Sequence, residues 1–528
     1  MFTAYSHNEL YEDVIIIFNR MKSLDIEPNC YTFPIILKAC EKIIALREGK
    51  QLHCLSEKWG FGKNPFVCCA LIGMYSRGSE IKPAYKVFEE MADKNIVAWT
   101  SMINGFLLNC ELDNARRLFD IAPERDIVLW NTMVSGYIGF GDMMMARKLF
   151  DQMPNKDVMS WNTMLHGYAR NSDIENCELW FEEMPERNIF SWNGLIGGYA
   201  CNGCFSEVLS TFKRMLAVSN VVPNDATLVM VFSACARLGA LDMGKWVHVY
   251  ADSIGCKGNV SVGNALIDLY AKCGILDAAV DVFERMDTKD LISWNTIIGG
   301  LAIHGRGADA LSLFNQMRNA GEKPDGVTFV GILSACAHMG LVQDGFSYFT
   351  SMLKDYDIVP QIEHYGCMVD LMGRAGLLEQ AVEFVRRMPI KADSVIWASL
   401  LGACRVYKNV KVAELALEEL TELEPQNPSN YVMLSNIYGD YGRWKDVARL
   451  KLAMRDTGLR KLPGCSSIEI NDEVVEFHSL DERHPEKKEI YRTLKGLTRL
   501  SRSTGYMPHT MELELEQELE LEIKELSV

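Results

Sequence analysis

Apolar residues recur at helical spacing in pairs of neighbouring stretches, and the same arrangement is repeated along most of the chain. Within residues 158–188 the first stretch is "WNTMLHGY", the second is "CELWFEEM", and the polar segment "ARNSDIEN" separates them. Apolar positions three and four residues apart lie on one face of a helix, and a short polar segment between two such faces marks a turn. Each unit is therefore predicted to be a helical hairpin.

Tryptophan marks the period of this pattern. Four tryptophans are spaced by 31 residues, and two more follow after 102 and 103 residues: Trp99, Trp130, Trp161, Trp192, Trp294 and Trp397. A single hairpin cannot bury its apolar face, so repeated hairpins of this length must stack on one another. We expect an all-α fold, a right-handed α-solenoid superhelix of stacked helix-turn-helix repeats, with the tryptophans packed between neighbouring hairpins.

The composition limits the remaining possibilities. With 528 residues, of which 48% are hydrophobic, the chain is too long for one compact core, and its densest apolar run, "VIIIF" at 14–18, is too short to span a membrane. Sixteen cysteines occur singly within apolar stretches, as Cys40, Cys235 and Cys336 do. This arrangement favours core packing in a soluble protein of a reducing compartment over a disulfide framework.

The net charge of −16 gives no support for a polyanionic partner. The last segment, "MELELEQELELEIKELSV", holds seven Glu and one Lys and so accounts for −6 of this charge, which leaves −10 for the rest. Particular positions must therefore indicate the partner.

The residue after the tryptophan is the most informative position. Its neighbour in the helix is a buried anchor, so this side chain is expected to point away from the core between repeats. Asparagine is a poor helix former, and an Asp or Asn at the start of each helix is already available as a cap: Asn95, Asp126, Asp157, Asn188 and Asp290. The side chains at this position are Thr100, Asn131, Asn162, Asn193 and Asn295, with Asn264 where Gly263 replaces Trp.

An amide has two donors and an acceptor, which suits it to pair with the edge of an unstacked base. Three residues before most of these positions stands an apolar side chain that could sandwich successive bases: Val97, Val128, Met159, Phe190 and Ile292. The alternatives are exposed polar residues of no special role, or a peptide-binding scaffold of the tetratricopeptide type. Modular base recognition is the interpretation that this pattern favours.

On these residues the chain resembles plant pentatricopeptide repeat proteins of the PLS subclass, in which long, short and standard units alternate. The resemblance runs from residue 1 to about residue 510 and includes "GNALIDLYAKCGILDAAVDVFERM" and "DGVTFVGILSACAHMGLVQDG". It implies about twelve units within residues 1–393, the first of them truncated. A start further upstream is expected, because the pattern is already under way at Met1.

In this family the fifth residue of a unit pairs with its last residue to select a base. The resemblance implies G for Thr100 with Asp126, and U for Asn131 with Asp157, Asn264 with Asp290 and Asn295 with Asp325. It implies a pyrimidine, preferably C, for Asn162 with Asn188 and Asn193 with Asn224. Units with Pro34, Cys69, Val229, Val330 or Gly366 at the fifth position are left unassigned. The implied target from the fourth unit onward, 5′ to 3′, is G-U-Y-Y-x-U-U.

The carboxyl-terminal quarter resembles the extensions of the same family. Residues 394–462 resemble E-type, tetratricopeptide-like helical hairpins, and residues 463–510 resemble an E-plus extension. Within the latter, "CSSIEINDEVVEFHS" alternates apolar and polar residues around a polar turn, which predicts a small β-hairpin. Residues 511–528 are expected to be a solvated acidic tail.

A zinc deaminase needs an HxE motif followed by CxxC. His484 and Glu486 of "HPE" and Cys201 and Cys204 of "CNGC" have the internal spacings, but the cysteines precede the histidine by some 280 residues. No catalytic residue, metal or cofactor is therefore expected.

The resemblance implies a non-catalytic protein that binds single-stranded organellar RNA near a cytidine to be edited. A DYW-type cytidine deaminase and accessory proteins would be recruited in trans through residues 394–510. Transcript stabilisation or splicing is the alternative RNA function, and a peptide-binding scaffold is the alternative without RNA. A mitochondrial location is expected, with the chloroplast as the alternative, and no targeting peptide is recognisable.

Overall fold

The computed structural model describes residues 1–24, 26–218, 220–456, 458, 465–470, 473–478 and 486–503. The chain divides into two compact bodies, Met1–Met230 and Val231–Val528. In both bodies helices follow one another as hairpins, which confirms the all-helical repeat architecture predicted from the period. Among the described residues, no helix is both long enough and apolar enough to cross a lipid bilayer.

Seven hairpins make up most of the amino-terminal body. Their helices are Phe2–His7 (α1), Tyr11–Ser23 (α2), Thr32–Ile43 (α3), Leu46–Lys58 (α4), Pro65–Arg77 (α5), Ile81–Glu90 (α6), Ile96–Leu108 (α7), Leu112–Ile121 (α8), Ile127–Gly139 (α9), Met143–Gln152 (α10), Val158–Arg170 (α11), Ile174–Glu183 (α12), Ile189–Cys201 (α13) and Phe205–Val218 (α14). The boundary between the bodies falls within Asp225–Leu238 (α15).

The carboxyl-terminal body continues the same order. Its helices are Leu241–Ser253 (α16), Val260–Lys272 (α17), Leu276–Arg285 (α18), Leu291–Ile303 (α19), Gly307–Asn319 (α20), Gly326–Met339 (α21), Val342–Lys354 (α22), Ile362–Arg374 (α23), Leu378–Arg386 (α24), Ser394–Tyr407 (α25), Val410–Leu423 (α26), Pro428–Asp440 (α27), Trp444–Asp456 (α28) and Lys487–Ser503 (α29), with a short 3₁₀ helix at Cys256–Gly258. Strands Cys465–Ile470 (β1) and Glu473–His478 (β2) pair antiparallel, with Ile470 opposite Glu473.

Many of the first helices begin at an Asp or Asn, and these include all five that the sequence marks as caps. The carboxylate of Asp157 accepts a hydrogen bond from the Ser160 backbone N–H at 2.8 Å, and Asn188 and Asp290 make the same contact at the starts of α13 and α19. Such a side chain satisfies an N–H group that the first turn of a helix leaves without a partner. The capping predicted for Asn95 and Asp126 is likewise confirmed.

Successive first helices pack side by side within each body, as α5, α7 and α9 do in the first and α19, α21 and α23 in the second. Each second helix then packs against the following first helix, as α12 does against α13. The small side chains of Cys40 and Cys336 are buried between helices, as predicted, and burial raises the pKa of these thiols to about 12 and about 11. They are neutral core residues at physiological pH.

Phenylalanine and tryptophan close the junction between consecutive hairpins. Phe181 of α12 meets Trp192 of α13 edge to face, with ring centroids 4.9 Å apart. The same contact recurs, at 4.8 to 5.1 Å, between Phe88 and Trp99, Phe119 and Trp130, Phe150 and Trp161, and Phe283 and Trp294. Edge-to-face pairs add to the large apolar area that such rings bury. The tryptophans thus fill the core between repeats, as predicted.

The "CNGC" segment is the turn of a hairpin. Cys201 is the last residue of α13, Gly203 adopts a φ of +75°, and Cys204 lies just before α14. Glycine suits this conformation because it has no Cβ. The turn between α13 and α14 therefore explains the spacing of these two cysteines. His484 of the "HPE" motif lies outside the described residues.

We expect Trp192→Ala to destabilise the repeat array by about 3–5 kcal/mol, the usual loss for a large aromatic truncated in a core. Phe190→Ala is the matched control in the same helix, because Phe190 is 68% exposed, and it should change stability by less than about 0.5 kcal/mol. Urea unfolding followed by circular dichroism measures both. Equal losses for the two variants would contradict the packing role of Trp192.

Candidate functional site

The candidate site is a series of side-chain pairs, each joining the fifth position of one first helix to the cap residue of the next first helix. Asn162 Nδ2 donates to Asn188 Oδ1 at 3.3 Å, and Asn193 Nδ2 donates to Asn224 Oδ1 at 3.0 Å. These contacts span 26 and 31 residues of sequence, so the packing of successive first helices creates them.

The carboxyl-terminal body repeats the arrangement with aspartate as the cap. Asn264 Nδ2 lies 3.1 Å from Asp290 Oδ1, and Asn295 Nδ2 lies 3.0 Å from Asp325 Oδ1. A cap residue therefore has two tasks in this fold. It accepts from the backbone of its own helix, and it accepts from the amide of the preceding unit.

The two remaining predicted pairs differ from these four. The amide of Asn131 lies near enough to Asp157 to lower the pKa of that carboxyl, but Asn131 is only 8% exposed and so is more buried than the other four asparagines, which are half-buried. Thr100 and Asp126 are not joined in this way, because the Thr100 hydroxyl donates to the Ile96 carbonyl of its own helix at 2.9 Å. A threonine on a helix readily makes this local bond.

The expectation that all these side chains point away from the core is therefore only partly met. Each asparagine lies across the junction of two first helices, where it faces the next cap residue and is partly covered. One amide hydrogen is used in that contact, and an amide nitrogen has two. The second hydrogen remains for a ligand, together with the second oxygen of an aspartate cap or the amide nitrogen of an asparagine cap. Each pair can therefore contact one polar planar group.

The hydrogen bonds alter the acidity of two caps. Burial acts to raise the pKa of Asp290, but bonds donated by the backbone and hydroxyl of Ser293 and by Asn264 outweigh it and hold that pKa below its ordinary value. The pKa of Asp157 is lowered in the same way, against the effect of burial, by Ser160 and Asn131. Both carboxylates are ionised at neutral pH and act as acceptors only.

Comparison with known proteins identifies the repeats. The model of the PPR repeat matches residues 66–96, 97–127, 128–158, 159–189, 190–218, 264–291, 327–356 and 363–391, those of the PPR repeat family and the pentatricopeptide repeat domain match residues 289–338 and 1–42, and that of the E motif matches residues 407–469. The pentatricopeptide repeat-containing protein At2g20540 of Arabidopsis thaliana is 41% identical over 94% of this chain and 81% of its own length. The chain belongs to the pentatricopeptide repeat family.

Two further Arabidopsis pentatricopeptide repeat-containing proteins show the same likeness. The mitochondrial protein At3g26782 is 36% identical over 94% of this chain and 78% of its own length, and the chloroplastic At1g08070 is 40% identical over 96% and 56%. The chain thus spans little more than half of At1g08070. The crystal structure of the maize pentatricopeptide repeat protein PPR10 has a TM-score of 0.53 at 18% identity, over 87% of this chain and 74% of that one, which shows a shared fold.

Exposed apolar side chains occupy the second position of many repeats of this pentatricopeptide repeat protein. The five that the sequence singled out are 55% to 68% exposed: Val97, Val128, Met159, Phe190 and Ile292. Four others occupy the same position, and sequence analysis missed them because no asparagine follows three residues later: Tyr31, Phe66, Val327 and Val395. Their distance from the cap residue is the signal that identifies them.

The lowered pKa of Asp290 predicts an acid-dependent loss of stability. Because the folded-state pKa lies below the unfolded value of about 3.9, the carboxylate stabilises the fold above that value, and this contribution is lost as the pH falls through the folded-state pKa. We expect Asp290→Asn to lose less stability than the wild-type chain between about pH 5 and about pH 2. Urea unfolding at each pH measures the difference, with Asn188→Asp as the variant that should gain pH dependence. Identical pH profiles for Asp290→Asn and wild type would contradict the role of this carboxylate.

Proposed function

We propose that the protein binds one single-stranded RNA sequence and selects a cytidine for C-to-U editing in an organellar transcript. The observation that carries this proposal is the set of four amide–cap pairs at junctions of successive first helices. Repeats of this kind suit single-stranded RNA, because each can contact one unstacked base.

Donor and acceptor chemistry supports the bases that the family resemblance implies. An ionised aspartate accepts only, so Asp290 and Asp325 favour a base that donates from its ring, as uracil does from N3–H. Asparagine can also donate, so the caps Asn188 and Asn224 can serve the N3 acceptor of cytosine. Guanine offers donors at N1 and N2 to Asp126, whose pair has no asparagine. The proposed target is therefore still G-U-Y-Y-x-U-U.

Base contacts rather than bulk charge support the affinity. The apolar side chains at the second position are exposed and can cover the faces of bases, which suits stacking contacts. Several first helices also end in an exposed cation, as α5, α11 and α23 do at Arg77, Arg170 and Arg374. These cations interact favourably with the negative end of the helix dipole. They can also bind RNA phosphates, although the whole chain is acidic.

The carboxyl-terminal segment is the proposed contact for a deaminase acting in trans. The E motif matches residues 407–469, and α29 beyond it exposes Tyr491, Leu494, Leu497 and Leu500. An exposed apolar row of this kind is typical of a protein contact. We place the editing partners on residues 394–510 and propose that this chain contributes recognition rather than catalysis. A mitochondrial location is proposed, with the chloroplast as the alternative, since both organelles appear in the names of relatives.

Binding to the target and to a scrambled oligonucleotide of the same composition tests the first part. Asn295→Ala should weaken target binding by about 1–3 kcal/mol, the range of a paired base contact. Asp290→Asn should move the preference at the sixth base from U to C, and Asn188→Asp should move that at the third base from C to U. Both replacements retain a helix cap, so thermal stability is the control. Equal affinity of the wild-type chain for target and scrambled RNA would remove the proposal.

Transcript sequencing in a plant that lacks the protein tests the second part. We expect one cytidine, downstream of the target sequence, to stay unconverted in a transcript of normal abundance and splicing. Restoring the wild-type chain should restore conversion, and restoring a chain with the four exposed residues of α29 changed to serine should not. Loss of the transcript, or its accumulation unspliced, with conversion unchanged would instead show stabilisation or splicing.

A further inference from the structure

A serine or threonine lies next to each proposed base-reading pair that begins with an asparagine, at the third position of the helix that the cap residue begins. Behind the five asparagines these residues are Ser160, Ser191, Thr227, Ser293 and Thr328. Each hydroxyl lies within hydrogen-bond distance of its own cap, as Ser293 Oγ does at 2.8 Å from Asp290 Oδ1 and Thr328 Oγ1 at 2.9 Å from Asp325 Oδ1. Each hydroxyl also accepts from the backbone N–H of its cap residue, as Ser293 Oγ does from Asp290 at 3.2 Å and Thr328 Oγ1 does from Asp325 at 3.1 Å. Serine and threonine therefore support the helix start in the same way.

Serine and threonine differ in their contact with the asparagine of the preceding unit. Thr227 Oγ1 lies 2.6 Å from Asn193 Oδ1, and Thr328 Oγ1 lies 2.6 Å from Asn295 Oδ1. The three asparagines followed by serine have a buried Oδ1 that meets no hydrogen-bond donor among the described residues: Asn131, Asn162 and Asn264. The distinction holds at all five sites.

The physical consequence is a difference in how firmly each amide is held. The branched Cβ of threonine restricts χ1 and so holds Oγ1 close to the amide oxygen of the preceding asparagine. A hydroxyl has one hydrogen to donate, and it goes to this nearer acceptor. Asn295 is therefore fixed at both ends, by Thr328 at its oxygen and by Asp325 at its nitrogen. Asn264 is fixed at its nitrogen alone.

We propose that Thr227 and Thr328 are positioning residues that lock the amides of Asn193 and Asn295, so that these two units discriminate between bases more sharply than the units followed by serine. This inference rests on the proposed function, because it concerns the precision of the same base contacts. It assigns a third residue to two of the base-reading units. A locked amide presents its free hydrogen in one direction and therefore tolerates a mismatched base less well.

Two adjacent units offer a matched comparison. The unit with Asn264 and Asp290 and the unit with Asn295 and Asp325 are both expected to bind uracil, as the sixth and seventh bases of the target. They differ in the residue behind the pair, which is Ser293 in the first and Thr328 in the second. The second unit is also longer, since its two partners are 30 residues apart rather than 26.

The test measures dissociation constants of the full chain for the target and for oligonucleotides with C at the sixth or the seventh base. The wild-type ratio of mismatch to match should be about fivefold greater at the seventh base, the effect of one net hydrogen bond. Thr328→Ser should lower the ratio at the seventh base to that at the sixth, and Ser293→Thr should raise the latter. With Asn295→Ala already present, Thr328→Ser should have no effect.

Thermal unfolding is the control: Thr328→Ser removes one buried methyl group but keeps the hydroxyl at the helix start, so the melting temperature should fall by only a few degrees. Unchanged ratios in both exchanges would overturn the inference and assign the difference to the length of the unit. A wild-type chain without preference at either base would overturn the proposed function instead.

In that case, amide-selective ¹⁵N NMR of the RNA-free chain still tests whether Thr328 contacts the Asn295 amide. The Asn295 side-chain signal, assigned by its loss in Asn295→Ala, should shift in Thr328→Ser, and an unshifted signal would refute the contact.

Discussion

The structure depends on the edge-to-face contact between a phenylalanine of one hairpin and the tryptophan of the next. Phe181 with Trp192 and Phe283 with Trp294 show its uniform geometry, with centroids 4.9 and 4.8 Å apart. Because the tryptophan is the fourth residue of its helix, this contact also fixes where that helix begins. The cap residue is thereby placed beside the preceding asparagine, so the proposed base recognition depends on core packing.

Much of this arrangement is predictable from sequence. The 31-residue spacing of tryptophans and the Asp or Asn four positions before each of them determine the hairpins and their starts, since periodic apolar faces and caps are local signals. Distances between side chains on different helices are not local. The family resemblance pairs Thr100 with Asp126, yet the Thr100 hydroxyl donates to the Ile96 carbonyl within its own helix. The burial of Asn131 likewise depends on how closely two helices approach.

The difference between serine and threonine at the third position is a sharper case. Both hydroxyls accept from the backbone N–H of the cap residue, so the two residues support the helix start alike. Their effect on the neighbouring amide becomes visible only when two helices 33 or 34 residues apart in sequence are brought together. Buried polar atoms are informative because a buried donor or acceptor without a hydrogen-bond partner costs folding free energy.

The cap residues serve the scaffold and the ligand at once, and this has a consequence for how such proteins diverge. Under the proposed function, exchanging aspartate and asparagine alters the preferred base, while both residues still cap the helix about equally well. A lineage can therefore acquire a new RNA target one nucleotide at a time by single substitutions that selection for folding does not oppose. Replacing the tryptophan four residues after the cap would instead destabilise the fold. Positions that can change and positions that cannot therefore lie within the same stretch of five residues.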